Sequence, residues 1–457
     1  MDSGAPILGA RKLKVSKLLA VKAVPRFYRV DDPRVHLNNF KETTGNAVGI
    51  YVHIPFCRSL CMFCPYFKDV LRDYRELEAY FKALLKEVEV YGKLLEEKNP
   101  SIVEIHVGGG TPSLVPPRLY RELADSLSQF FNVKCGISIE ANPEDLRSYR
   151  AVEELYSAGI DEVSIGVQSF DERVLRSLGR KHSTEDSAKA VENSIKAGYK
   201  WVNVDLMFLA PNIRGYAELT LEEKLEAFRK DLERGHELGA HQITFYPTII
   251  PSSSPGYRLV ELGKVNQELD YVDAFIDMAL DFVKDKNLYL VRVYSASRKR
   301  YEYATVNLEM VGPLIGLGAG AWGNTGLYQY VNIHDVVTYI STTEKGLPPA
   351  AYSRNLSLAS RTWRLFFDQL STAEVREDLF KFTGFKNMPL KVRFLLKAME
   401  LNGTVERVGG IYRLTRRGIK EVYKSVINYV IDVPVKATEM FTRISRSGKY
   451  PEVVEIK

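Results

Sequence analysis

The sequence predicts an α/β chain: an open, incomplete (β/α)6 barrel joined to a smaller helical, winged-helix-like C-terminal domain. Three observations predict it. Short β-branched runs alternate with amphipathic stretches from about residue 47, the alternation stops beyond residue 330, and a helix–helix–hairpin pattern follows. Repeated βα units imply a parallel sheet with right-handed crossovers. Six units are too few for the closed eight-unit barrel, and functional residues are then expected at the C-terminal ends of the strands.

In chain order the strand-like runs are Gly49–Ile54, Ile102–Val107, Gly136–Glu140, Glu162–Val167, Trp201–Leu206 and His241–Tyr246. Helical stretches fall between them near Tyr74–Leu95, Pro117–Phe131, Ala151–Ala158, Thr184–Ala197 and Leu221–Leu238. Two helix starts are marked by capping boxes: Ser183 precedes Asp186 by three residues and Thr220 precedes Glu223 by three. Leu347-Pro348-Pro349 reads as linker. Two helices are expected next, Thr372–Phe382 and Pro389–Leu401, then a hairpin of Thr404–Val408 and Ile411–Leu414 around Gly409-Gly410, and a last helix from near Arg417. The expected division is a basic arm over 1–45, the barrel and its extension over 46–330, a linker over 331–370 and the C-terminal domain over 371–457.

At 457 residues the chain is long enough for a barrel and a second core. No apolar run approaches the roughly 20 residues that span a bilayer. Four cysteines, three of them clustered, argue against a disulfide framework and for a reducing compartment, hence a cytoplasmic protein. The net charge of +6 is small for the size and demands no nucleic acid, and the second helix of the C-terminal domain lacks the basic–aromatic row of a groove reader. Arg11, Lys12, Lys14, Lys17, Lys22, Arg26, Arg29 and Arg34 make the start basic, either as a solvated arm or as a cover for an anionic ligand.

Cys57-x3-Cys61-x2-Cys64 follows the apolar run Tyr51–Phe56. Three thiolates on a loop can hold three irons of a cubane cluster and leave the fourth iron open. The alternatives are a zinc site, which wants four closed ligands and finds no second knuckle here, or ordinary buried cysteines. One βα unit later Gly108-Gly109-Gly110 ends an apolar strand, where the absence of a Cβ lets a ligand approach the backbone.

The cysteine loop with the triglycine resembles the signature of radical S-adenosylmethionine (SAM) enzymes. Six segments, in order, resemble one branch of that superfamily, the oxygen-independent coproporphyrinogen III oxidase-like family. They are Tyr51-Val-His-Ile-Pro-Phe-Cys57, Gly108-Gly-Gly-Thr-Pro-Ser113, Glu140-Ala-Asn-Pro-Glu144, Ser164-Ile-Gly-Val-Gln-Ser-Phe-Asp171, Leu178-Gly-Arg-Lys-His-Ser183 and Asn203-Val-Asp-Leu-Met207. Gly316-Leu-Gly-Ala-Gly320 with Trp322 resembles its late glycine-rich segment. The family includes coproporphyrinogen oxidases, haem chaperones, haem-degrading enzymes and class C methyltransferases.

The resemblance implies a [4Fe–4S] cluster on Cys57, Cys61 and Cys64, with Tyr51, Gly108 and Glu140 around a SAM on the open iron. It implies a second SAM near Gln168, Arg180 and Asp205, and Phe63, Gly109, Gly110 and Pro247 match supporting positions around the two SAM sites. The other reading of Gln168, Arg180 and Asp205 is a structural polar network, and that of Glu140 a helix cap or surface charge. No catalytic side chain beyond the cluster is assigned. The implied chemistry is reductive SAM cleavage and hydrogen abstraction from an anionic small molecule, most simply a tetrapyrrole propionate, by a monomer served by a ferredoxin or flavodoxin. Methyl transfer and haem carriage are the alternatives. Two departures separate the chain from named subfamilies: Tyr66 stands where the bacterial oxidases carry a fourth cysteine, and Asn307 alone survives of the chaperones' His-Asn-x-x-Tyr-Trp segment.

Overall fold

The computed structural model describes residues 25–300, 312–383 and 386–456. Six parallel strands stand side by side in chain order: β1 (Ala47–Ile54), β2 (Ser101–Gly109), β3 (Ile137–Ala141), β4 (Ile160–Gln168), β5 (Trp201–Phe208) and β6 (Gln242–Pro247). β7 (Leu314–Leu317) adds a parallel neighbour on the outer side of β1. Beyond β6 the sheet continues through the antiparallel strand Ser295–Ser297, so β6 and β7 do not meet and the barrel stays open. The β-branched runs are buried, with Val48, Ile50, Val52 and Ile54 of β1 fully enclosed, as strands covered by crossover helices must be. Those helices begin where the caps place them: Ser183 and Thr220 form complete capping boxes for Thr184–Lys196 and Leu221–Glu237.

Past β7 the same sheet turns antiparallel, through Trp322–Asn324, Tyr328–Asn332, Ala350–Asn355, Arg26–Arg29 and Val453–Glu455. The stretch 331–370, expected as linker, is ordered and holds the helices Val336–Thr343 and Leu358–Ser371 besides the strand Ala350–Asn355. Pro348 and Pro349 have no N–H for a ladder, so they mark the entry to that strand. In the arm, Arg26, Arg29 and Arg34 pair with Glu455, Asp31 and Asp32. Arg11, Lys12, Lys14, Lys17, Lys22 and the stretch 306–311 lie outside the described residues.

In the C-terminal part the helix expected at Thr372–Phe382 is replaced by the strand Glu374–Arg376 and a 3₁₀ helix, Glu377–Thr383. Val375 is buried and pairs with Tyr412, which draws that strand onto the hairpin Val405–Val408/Ile411–Leu414. Gly409 and Gly410 have φ of 57° and 85°, the left-handed pair that a two-residue hairpin turn requires.

A buried carboxylate and a buried tyrosine on one helix hold the segment after β7, and the tyrosine joins it to β1. Glu87, on the helix Tyr74–Leu95, accepts hydrogen bonds from the Gly318 amide (2.7 Å), the Tyr339 hydroxyl (2.6 Å) and the Asn332 amide (2.8 Å). Beside it the Tyr80 hydroxyl donates to the His53 carbonyl (2.7 Å) and accepts from the Ala319 amide (2.8 Å). Gly318 has φ +99°, and a Cβ there would lie 2.5 Å from both the His53 oxygen and the Tyr80 hydroxyl. The late glycine segment is thus pinned against the end of β1, just upstream of Cys57.

Burial pushes the Glu87 carboxyl up to about 7, against the pull of its three hydrogen bonds. In the unfolded chain a glutamate titrates near 4.3. The folded value is the higher one, so the native state holds the extra proton between the two pH values. The stability this contributes is complete below about 4.3 and is lost as pH rises through about 7. Denaturant unfolding of wild type and Glu87→Gln across this range should show wild type losing on the order of 3 kcal/mol relative to the variant. Parallel curves would mean Glu87 is ionised throughout.

Candidate active site

The cysteine loop leaves β1 and is closed at its base. Phe56–Cys57 pairs in parallel with Asp69–Val70, through Asp69 N to Pro55 O (2.5 Å) and Leu71 N to Cys57 O (3.0 Å). The end of β2 lies against the same base: Gly110 N donates to Ile54 O (2.7 Å) and Thr111 N to Phe56 O (2.8 Å). Inside the loop the Lys68 ammonium donates to the Cys64 carbonyl (2.6 Å), and from outside Gly256 N donates to Met62 O (2.9 Å). Phe63 packs with Val174, Leu178 and Met207.

The triglycine is demanded by these contacts. A Cβ on Gly110 would sit 2.5 Å from the Phe56 oxygen, and one on Gly109, at φ +112°, 2.7 Å from the His53 ring. The Gly109 amide donates to Glu140 Oε2 (3.1 Å), and Glu140 Oε1 stands 3.7 Å from His106 Nε2. Glu140 therefore reaches across from the end of β3 with a half-exposed carboxylate. Gly108 leaves room for Tyr51 and Glu140, whose atoms lie 3.1 and 3.2 Å from where its Cβ would be.

Gln168, Arg180 and Asp205 come together because β4 and β5 are neighbours. Gln168 has φ +67° at the end of β4, where the register with β5 shifts. Arg180 donates from Nη1 to Cys61 Sγ (3.1 Å) and from Nη2 to Asn142 Oδ1 (2.8 Å) and Gly166 O (3.1 Å). Asp205 accepts from the Ser164 hydroxyl (2.6 Å) and the Asn203 amide (3.0 Å). Burial, reinforced by the nearby Glu140 charge, pushes its carboxyl up to about 7, while Ser164, Asn203 and His106 pull it down.

One cavity of about 930 Å³, measured with its open mouth, gathers these groups at the C-terminal ends of the strands. Cys57, Cys61, Cys64 and Phe63 line one side, and Gly109, Gly110, Glu140, Gln168, Arg180 and Asp205 line the rest. Tyr51, Gly108 and Pro247 do not line it; Tyr51 and Gly108 lie behind Glu140, and Pro247 ends β6 beside Phe208. Tyr66 lines the cavity too. Cys135 is elsewhere: its thiol faces the Ile102 carbonyl (3.7 Å), at the start of β2. At about 3.3 Å per residue, the seven residues to Gly109 put it roughly 23 Å away along the strand.

Sequence reasoning missed Lys68, Asn142, Glu144 and Ser164, all of which line the cavity. Asn142, Glu144 and Ser164 stand inside the segments that carry the family resemblance; Lys68 had no signal beyond its nearness to Cys64.

Residues 51–214 match the family model described as the radical SAM superfamily. The chain is 26% identical to the heme chaperone HemW of Bacillus subtilis over 310 residues, 65% of this chain and 76% of the relative. It is 28% identical to the oxygen-independent coproporphyrinogen III oxidase of Paracoccus denitrificans over 285 residues, 61% of this chain and 62% of the relative. The match thus spans about three-fifths of that oxidase's length. In fold, the solved structure of coproporphyrinogen III oxidase (HemN) from Escherichia coli superposes with a TM-score of 0.71 at 20% identity, covering 88% of this chain and 95% of that one.

The family model matched over residues 51–214 implies a [4Fe–4S] cluster and SAM, and the residues present fit both. The three free thiols of Cys57, Cys61 and Cys64 line one cavity. Thiolates are the usual ligands of such a cluster, and three of them leave one iron open for a small molecule. Arg180 Nε, buried and without a hydrogen-bond partner, leaves a donor for a bound group. Burial pushes the Cys57 thiol up to about 11, so loading the site must release protons.

Anaerobic reconstitution should load about four irons and four sulfides per chain. Cys57→Ala, Cys61→Ala or Cys64→Ala should each lose the brown absorbance, and Cys135→Ala should keep it. Iron retained by any of the first three variants and lost from the fourth would overturn the assignment.

Proposed function

The chain carries a radical SAM domain over residues 51–214, and on that premise we propose that it is a radical SAM enzyme acting on an anionic tetrapyrrole, by oxidative decarboxylation of the coproporphyrinogen III oxidase kind. The observation that carries the reading is the single cavity in which the cysteine loop, the triglycine edge and the Gln168–Arg180–Asp205 group meet. The bound cluster supplies one-electron reductive cleavage of SAM.

The protein's own residues hold and orient. Cys57, Cys61 and Cys64 are the cluster ligands, and the Gly109 and Gly110 backbone gives SAM its close approach. Glu140, with one oxygen on the Gly109 amide, keeps acceptor capacity for ribose hydroxyls. Arg180, already donating to Cys61 Sγ, places positive charge between the cluster side and the Gln168–Asp205 side. Asp205, held by Ser164 and Asn203, stores or yields a proton near neutral pH at its carboxyl oxygens. Arg58, which pairs with Asp145, and Lys68 and Lys181 also line the cavity, and their positive charge suits propionates. Gln168, Arg180 and Asp205 form the site of a second SAM.

A second reading, a haem chaperone, is favoured by the similarity to HemW and by Tyr66 in the fourth-cysteine position. Anaerobic incubation of the reconstituted protein with SAM, a reductant and coproporphyrinogen III decides between them. The expected products are 5′-deoxyadenosine, CO2 and a tetrapyrrole lighter by the lost carboxyl groups, identified by mass. Stable haem binding with no SAM consumed would give the chaperone reading, and S-adenosylhomocysteine would give methyl transfer.

A further inference from the structure

The helix Leu221–Glu237 lays a buried stripe of Ala227, Phe228 and Leu232 on the sheet, and Asp231 sits in that stripe, 2% exposed. A carboxylate there costs free energy unless it is fully hydrogen-bonded. Its partners are on one short turn: Oδ2 accepts from the Ser169 hydroxyl (2.6 Å) and Oδ1 from the Phe170 amide (2.6 Å). Ser169 Oγ in turn accepts from the Asp171 amide (3.0 Å).

That turn follows Gln168, whose φ of +67° is a left-handed conformation costly to a side-chain-bearing residue and kept only where neighbours over-determine it. Two further bonds close on it: Ser169 N donates to Val167 O (2.8 Å), and His182 Nε2 meets the same carbonyl (3.0 Å). The conformation turns the Gln168 carboxamide back over Gly166, where a Cβ would come within 2.9 Å of Gln168 Nε2 and 3.6 Å of Arg180 Nη2. The same turn starts the helix Glu172–Ser177, capped by Asp171, that leads to Arg180.

We infer that Asp231 is a positioning residue for the cavity: it locks the turn 168–171 so that Gln168 faces bound SAM with its carboxamide already aimed. The inference rests on the second-SAM reading for the ligand, while the lock itself is read from the turn alone. Asp231 lines no part of the cavity and acts through Gln168.

The test uses the full chain, reconstituted anaerobically, with labelled SAM in equilibrium binding and hydrogen exchange at the Phe170 amide. Wild type should bind two SAM per chain. Gln168→Ala and Asp231→Ala should each weaken one of them about tenfold, with Asp231→Asn, which keeps one acceptor oxygen, in between. Iron content should match wild type in all three. The double variant should bind no worse than Gln168→Ala alone, because the two residues act as one unit. Phe170 should exchange faster in Asp231→Ala and not in Gln168→Ala. Loss of the second SAM in Gln168→Ala with wild-type binding in Asp231→Ala would overturn the inference and leave the second site standing, as would additive losses in the double variant. One SAM per wild-type chain would overturn the second site, and the lock would then stand or fall on Phe170: faster exchange in Asp231→Ala upholds it, unchanged exchange overturns it.

Discussion

The close approach of the Gly110–Thr111 backbone to the Ile54–Phe56 backbone is the constraint on which the site depends. Two amide-to-carbonyl bonds of 2.7 and 2.8 Å join the end of β2 to the start of the cysteine loop. Any Cβ at residue 110 would push them apart. Because of this contact the loop leaves the sheet in a fixed direction, the thiols face the strand ends, and Glu140 can bridge to Gly109. The hydrogen bonds at the loop base and from Lys68 and Gly256 refine a placement that the two strand ends have already decided.

Three carboxylates do corresponding work: Glu87 and Asp231, buried away from the cavity, and Asp205, partly buried in its wall. Glu87 pins the Gly318 segment to the helix Tyr74–Leu95, Asp205 orders the polar side chains of β4 and β5, and Asp231 holds the turn after β4. In each case burial raises the carboxyl to about 7. In each case the partners include backbone amides or hydroxyls of a neighbouring element, so the cost of burying the acid is met by fixing that element's position. A hydrophobic residue at any of the three would fill the space and leave the neighbouring donors unpaired.

The barrel was legible in the sequence because its strands announce themselves twice, by β-branched runs and by capped helices between them. Ser183 and Thr220 gave helix starts correct to the residue. The gathering of Cys57, Cys61, Cys64, Glu140 and Gln168 was legible because each stands at or just past a strand end, whereas Asp205 inside β5 and Arg180 beyond the helix Glu172–Ser177 were legible only through the family resemblance. What stayed hidden depends on pairing across long separations. Ala350–Asn355 reads as linker until Tyr328–Asn332 is there to pair with it, and Glu374–Arg376 reads as helix until the hairpin claims it. Asp231 in a helix, and Gln168 in a left-handed turn, are ordinary residues in a sequence; only their meeting gives them meaning.

The strand Arg26–Arg29 has consequences for how the molecule comes into being. Both of its neighbours come late in the chain: Ala350–Asn355 on one side and Val453–Glu455 on the other, with Arg26 facing Glu455 across 429 positions. During synthesis this early segment has no pairing partner until more than three hundred further residues have emerged. Its bonding edge stays open through that interval, as a template for other unfinished chains. Arg26 and Arg29 are the ends of the strand and Asp31 and Asp32 follow it, and charge of both signs at an unpaired edge discourages such association.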